Sequence, residues 1–365
     1  MNGLLILEGG IEIVLSLVTG FLVFFASMRI FMLLTRKIDE TEELKKNNTA
    51  VAVVLGAFVL ALVLIVNSSV SPAMDTLKAL FEQESPAAGV VLVDILRIVA
   101  IYAAAMITAI VVLWLGIALY TGLTTKIDEM EELKKNNLAV GIVFAVFIFS
   151  AGYLTLEPVS TILGAFVPPP HTVTAETVEQ FVNTDVLLQG LIELPLAFFG
   201  TILVFLLGVK LSDLMTGTID ELAELKKNNA ASAIYTAATL FSLMYLVKEA
   251  ALKPLYPALN RLIIGHESTD SIVLTVILIP VFFVVTGVIS LLLTRLAQGV
   301  FMVLTRKVDE MAELKKNNVA IALILAALTI SVVVMVTHGM NVLAEGFVPA
   351  PQAAAGGGLP TLRIK

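Results

Sequence analysis

Residues 36–48 read RKIDETEELKKNN. The same sentence returns as TKIDEMEELKKNN at 125–137, GTIDELAELKKNN at 217–229 and RKVDEMAELKKNN at 306–318. The aspartates, Asp39, Asp128, Asp220 and Asp309, stand 89, 92 and 89 residues apart. Each copy lies between two long apolar runs, so the repeating unit is an apolar hairpin with a charged tip. Counted from the aspartate as zero, every copy keeps Asp, Glu at +1 and +4, Lys at +6 and +7, and Asn at +8 and +9.

Apolar residues make up 58% of the 365, and the mean hydropathy is +0.96. Water-soluble chains lie well below this. The first apolar run of each unit covers about 13–28, 98–117, 194–209 and 272–293. The second opens just after the asparagine pair, at 49–66, 138–156, 230–247 and 319–337. Eighteen helical residues rise about 27 Å, close to the thickness of a bilayer's hydrocarbon core. The expected fold is therefore all-α: a polytopic membrane protein with eight transmembrane helices, built from four tandem same-sense helical hairpins and surrounded by lipid. The hairpin units divide as 1–88, 89–181, 182–270 and 271–348, and a disordered tail is expected at 349–365. A longer period overlies the first: Asp39 to Asp220 and Asp128 to Asp309 are both 181 residues. A duplicated hairpin thus reads as duplicated again.

An odd and an even span flank each tip, so all four tips share one side of the membrane. Sixteen of the 23 basic residues fall on that side, facing 15 of the 30 acids. The excess of Lys and Arg makes the tips cytoplasmic and places both termini outside.

Within a tip, the aspartate suits a helix N-cap, and Glu at +1 falls where the helix dipole favours negative charge. Helical spacing sets Glu at +4 beside Lys at +7 and Asn at +8. Glu43 is thereby expected to meet Lys46 and Asn47, with Glu132 and Lys135, Glu224 and Lys227, and Glu313 and Lys316 arranged alike. Behind each tip, positions +9, +13 and +17 read Asn48/Ala52/Gly56, Asn137/Gly141/Ala145, Asn229/Ala233/Ala237 and Asn318/Ala322/Ala326. Small residues at this spacing let helix backbones approach closely in lipid, and the asparagine can hydrogen-bond across the contact. The stripe reads as a repeated packing seam, with a narrow pore lining as the alternative. In the sixth span Ser232, Thr236, Thr239 and Ser242 fall on nearly one face and read as further packing polar groups.

Charge inside the apolar runs points to ion pathways, and here it is sparse. Glu12 and Glu193 are the intramembrane acidic candidates. Each has a basic residue 17 positions on, Arg29 or Lys210, which places the charges near the two interfaces. Asp94 and Arg97 are spaced as an i,i+3 pair. The chain has no cysteine, hence no disulfide, thiolate ligand or cysteine nucleophile. No nucleophile–base set, Gly-rich phosphate loop or zinc spacing occurs, so no enzyme activity, catalytic residue, metal or cofactor is expected, and no nucleic-acid partner.

The segment ExELKKNNxAxA leading into a small-residue helix resembles the bacterial inner-membrane family called domain of unknown function 350. The residues that carry the likeness are Glu43, Asn48 and Ala50; Glu132, Asn137 and Ala139; Glu224, Asn229 and Ala231; and Glu313, Asn318 and Ala320. The resemblance implies duplicated two-helix units in the inner membrane and brings no established activity. It also implies a link to envelope stress, in keeping with a membrane-organising role. The functional expectation is a non-catalytic, self-associating scaffold whose tips bind a cytosolic or membrane protein. The alternative is an ion or small-solute channel along a pseudo-symmetry axis.

Overall fold

The computed structural model describes residues 3–35, 38–81, 87–124, 127–168, 181–216, 220–264, 269–305 and 308–347. The tail expected at 349–365 lies outside them. Helices appear in chain order as α1 (Gly3–Thr35), α2 (Glu40–Lys45), α3 (Thr49–Asn67) and α4 (Val70–Phe81). The second unit contributes α5 (Ala88–Leu123), α6 (Glu129–Lys134), α7 (Leu138–Leu154) and α8 (Leu156–Gly164). The third contributes α9 (Thr184–Thr216), α10 (Glu221–Lys226), α11 (Ala230–Leu246), a π-helical segment (Val247–Leu252) and α12 (Lys253–Ile264). The fourth contributes α13 (Thr269–Leu304), α14 (Glu310–Lys315) and α15 (Val319–Phe347).

Eight of the described helices are long and apolar enough to cross a membrane. The chain is an all-helical, multi-pass membrane protein. The first helix of each unit runs well past its apolar window: α5, for example, has 36 residues, about 54 Å of helix. The excess carries the chain beyond the hydrocarbon layer to the tips.

Four second-run helices, α3, α7, α11 and α15, stand side by side in sequence order and form the spine. The preceding helices fill the grooves beside it. Thus α5 packs against α3 and α7, α9 against α7 and α11, and α13 against α11 and α15, while α1 rests on α3. Small residues set the spacing within the spine. A Cβ added at Gly141 would lie 2.9 Å from the Ala50 carbonyl oxygen, and one at Gly152 would lie 2.8 Å from the Ala61 Cβ. Dispersion and side-chain complementarity hold such contacts in lipid, where no hydrophobic drive separates helix from solvent. The outer faces carry Phe25, Leu33, Val99 and Val303, all exposed in the isolated chain, as a lipid-facing surface requires.

Candidate functional site: the row of tips

Each tip is a six-residue helix with the same start and stop. The aspartate caps it: Asp39, Asp128, Asp220 and Asp309 accept from the backbone N–H three residues on, at 3.0, 3.1, 3.0 and 3.0 Å. The stop is the first asparagine of the pair. Asn47, Asn136, Asn228 and Asn317 adopt left-handed φ values of 59°, 58°, 58° and 60°, a region that asparagine tolerates better than most residues. The second asparagine then opens the spine helix as its N-cap. Asn48, Asn137, Asn229 and Asn318 accept from the amide three residues on, at 3.0, 3.2, 3.0 and 3.4 Å.

This reversal corrects one expectation drawn from helical spacing. Glu at +4 meets Lys at +7, at 3.0 Å for Glu43–Lys46, 3.1 Å for Glu132–Lys135, 2.7 Å for Glu224–Lys227 and 2.8 Å for Glu313–Lys316. Its amide partner is the asparagine at +9, whose Nδ2 lies 2.7–2.8 Å away in all four tips. Asn47 is not the partner of Glu43, because the left-handed residue ends the helical register one position early.

The same Nδ2 also reaches the next tip. Asn48 donates to the Leu133 carbonyl at 2.8 Å, Asn137 to Leu225 at 2.9 Å and Asn229 to Leu314 at 2.9 Å. A return bond closes each junction. The left-handed asparagine of the later tip accepts from the first turn of the earlier spine helix: Ala50 N–H to Asn136 at 3.1 Å, Ala139 N–H to Asn228 at 3.1 Å and Ala231 N–H to Asn317 at 2.9 Å. Three junctions of one design therefore join four tips into a row. In the spine just behind, Gly141, Ala145, Ala233, Ala237, Ala322 and Ala326 are buried, whereas Ala52 is half-buried and Gly56 is exposed.

The carboxylates at +4 lie outside the spanning segments, and all four titrate below the ordinary glutamate value. For Glu43 and Glu132 the leading cause is the asparagine bond. For Glu224 and Glu313 it is the lysine bond. The next tip also contributes, since Lys134, Lys226 and Lys315 each lower the preceding unit's glutamate by their charge.

In the first, second and fourth tips Glu at +1 is not solvated. Glu40, Glu129 and Glu310 are buried, and the Thr35 hydroxyl donates to Glu40 at 2.7 Å. Thr124 donates likewise to Glu129, and burial raises the pKa of Glu129. A threonine five residues before this glutamate recurs in all four units, as Thr35, Thr124, Thr216 and Thr305. That signal was available in the repeat but lies outside the polar sentence itself.

The two intramembrane acids do not share an environment. Glu12 is exposed on α1. Glu193 is buried, accepting from Gln189 at 2.7 Å and Thr161 at 3.0 Å. The helix that supplies Thr161, α8, packs on α9 and covers Glu193. Asp94 and Arg97 form a buried pair at 2.9 Å. The Lys248 ammonium, in the π-helical segment, lies 3.8 Å from the Tyr153 ring centre, a cation–π contact invisible in the local sequence. Of the sixth-span hydroxyls, Thr239 returns its bond to the Tyr235 carbonyl at 3.1 Å, while the buried Ser232 and Ser242 oxygens have no partner among the described residues.

On the tip side a cleft of about 600 Å³ lies between α5, α9 and α10, lined by Tyr120, Phe205, Lys210, Asp220 and Thr236 among others. Among the described residues, no group of three or more His, Asp or Glu gathers as a metal site.

A family model described as Domain of Unknown Function (DUF350) matches residues 4–102, 90–164 and 186–340. No curated protein and no solved structure matches the chain.

Proposed function

The chain belongs to the Domain of Unknown Function (DUF350) family. From that premise we propose a non-catalytic, self-associating scaffold of the bacterial inner membrane, with cytoplasmic tips that bind a protein partner and both termini on the extracytoplasmic side. The observation that carries this reading is the division of labour within each tip. Glutamate and asparagine turn sideways into the row, and the lysines turn outward. Lys45, Lys134, Lys226 and Lys315 are exposed and form no ion pair among the described residues. Lys46, Lys135, Lys227 and Lys316 keep more than half of their side-chain surface. Four copies of one basic face at fixed spacing suit a multivalent contact, in which weak single-tip binding gains strength from effective concentration.

The basic excess at the tips supports their cytoplasmic placement. Backbone-close packing of α3 on α7 supports a structural spine, since it leaves no water-wide path between those helices.

The test replaces Lys45, Lys134, Lys226 and Lys315 together by Gln. Cross-linking at the tips in cells should then lose its cytosolic adduct by at least about tenfold, with membrane abundance unchanged. Undiminished adduct contradicts the partner role. Ion conduction by the purified protein in liposomes contradicts the scaffold role.

A further inference from the structure

The row of tips has two unfinished ends. At its start, tip 1 offers the accepting half of a junction, and among the described residues no other tip donates to it. The carbonyls of Leu133, Leu225 and Leu314 receive the preceding unit's asparagine, and their side chains are 0%, 8% and 0% exposed. Leu44, at the same position, is 38% exposed. Asn47 holds the left-handed conformation of Asn136, Asn228 and Asn317, yet its side-chain oxygen accepts no bond among the described residues. Behind it Gly56 is open, with nothing within 4 Å of an added Cβ, whereas its counterparts Ala145, Ala237 and Ala326 are buried.

At the other end, unit 4 offers the donating half. Asn318 keeps its bond to Glu313 but meets no next carbonyl among the described residues. Ala320 is exposed where Ala50, Ala139 and Ala231 are buried. The pattern continues down the helix. Val54, Val143 and Tyr235 are buried and their counterpart Ile324 is 49% exposed; Ile65, Leu154 and Leu246 are buried and Met335 is 81% exposed. The flanking helices repeat the asymmetry, because α5, α9 and α13 each lie between two spine helices and α1 rests on one. Charge does the same: Lys134, Lys226 and Lys315 each act on the preceding tip's glutamate, Lys45 has no preceding tip, and Glu313 has no following one.

We propose that copies of this chain join head to tail in the plane of the membrane, tip 1 and α3 of one copy docking on tip 4 and α15 of the next through a fourth junction of the internal kind. Asn318 of one copy donates to the Leu44 carbonyl of the other. The Ala320 amide donates to Asn47, and Ala320 meets Ala52 as Ala50 meets Gly141. All tips lie at one end of the bundle, so two copies inserted with the same orientation present these halves at the same depth. Such a contact uses different surfaces on the two copies, so it builds a closed ring or an open row rather than a symmetric pair.

The proposal rests on self-association and specifies its geometry, and the test separates the two. The chain has no cysteine, so introduced thiols report alone. In the internal junction an added Cβ at Gly141 lies 3.2 Å from the Ala50 Cβ, near the separation a disulfide needs. The double variant A52C/A320C, oxidised in native membranes, should give a ladder of covalent multimers. Either single variant should give none, and co-expressed single variants should give a dimer. The internal pair A139C/A233C, which should close within one chain, is the positive control. Asn47→Gly keeps the left-handed backbone, and in the A52C/A320C background it should cut ladder yield at least fivefold without lowering the melting temperature.

Covalent dimers from a single variant, or no ladder while the internal control closes, overturns the head-to-tail contact. An unchanged yield with Asn47→Gly overturns the bond assigned to it. Native mass spectrometry from lipid that finds one chain per particle overturns self-association itself.

Discussion

The side-chain nitrogen of Asn48 lies 2.8 Å from the backbone oxygen of Leu133, a residue 85 positions further along the chain. One amide group thus caps its own helix through its oxygen, holds Glu43 through its nitrogen and reaches the following repeat through the same nitrogen. Because the group acts within and between units, its removal should cost more where a following unit exists.

Asn137→Ala and Asn318→Ala test this directly. Both lose an N-cap, worth about 1 kcal/mol, and a bond to glutamate. Only Asn137→Ala also loses a buried bond to the next tip, adding about 1 kcal/mol. Thermal unfolding in nanodiscs that hold one chain each, where Asn318 meets no neighbouring copy, should rank Asn137→Ala as clearly the more destabilised. Equal losses would mean that the cross-tip bond contributes nothing.

The left-handed asparagines separate backbone from side-chain effects. Asn136→Gly keeps φ accessible and removes the oxygen that accepts from Ala50 and Thr49, so it should destabilise the fold by about 1 kcal/mol. Asn47→Gly removes an oxygen without a partner and should be close to neutral within one chain. Asn47→Ala should cost about 1–2 kcal/mol through backbone strain alone. Chemical denaturation of the three variants distinguishes these effects.

Glycines one turn apart on the small-residue stripe, Gly141 at +13 and Gly56 at +17, should respond oppositely. Gly141→Ala forces a methyl to 2.9 Å from the Ala50 oxygen, and overpacking of this kind costs about 1–3 kcal/mol. Gly56→Ala meets nothing within 4 Å and should stabilise by about 0.4–1 kcal/mol through the unfolded chain. A pair of melting curves checks both signs.

Acid should loosen the row. Glu43, Glu132, Glu224 and Glu313 are held below the ordinary carboxylate value. Their contribution is therefore full above the unfolded value, about 4.3, and is lost as pH falls through the lower folded values. Glu129 has the opposite sign: burial raises it, so its ionised form opposes folding at neutral pH. Glu129→Gln should raise the melting temperature at pH 7–8, and the gain should shrink as pH falls and the native glutamate takes up a proton. A gain that grows toward low pH would contradict this.

The sequence made the eight spans and the common side of the tips legible, because a charged sentence recurring between bilayer-length apolar runs admits few other folds. It also exposed the asparagine and the small residues behind it. The division of roles within Asn47-Asn48 was not legible, since only a backbone reversal makes one residue a turn and the other a cap. Nor was the burial of Glu193, which depends on α8 packing against α9 from a different repeat unit. The position of Lys248 over Tyr153 depends on helices from two different units. Glu40 and Thr35 were readable as a repeated pair, but helix-dipole reasoning alone gave the glutamate a place in the first turn and no threonine partner.

The most direct test of the zipped row is a pair of double-mutant cycles on unfolding free energy. Asn137 and Asn228 serve the same junction, between the second and third tips, whereas Asn48 serves the one before it. Asn137→Ala combined with Asn228→Gly should be non-additive by at least about 0.5 kcal/mol, while Asn48→Ala combined with Asn228→Gly should add. Additivity in both cycles would mean that successive tips are neighbours without being joined, contrary to this account.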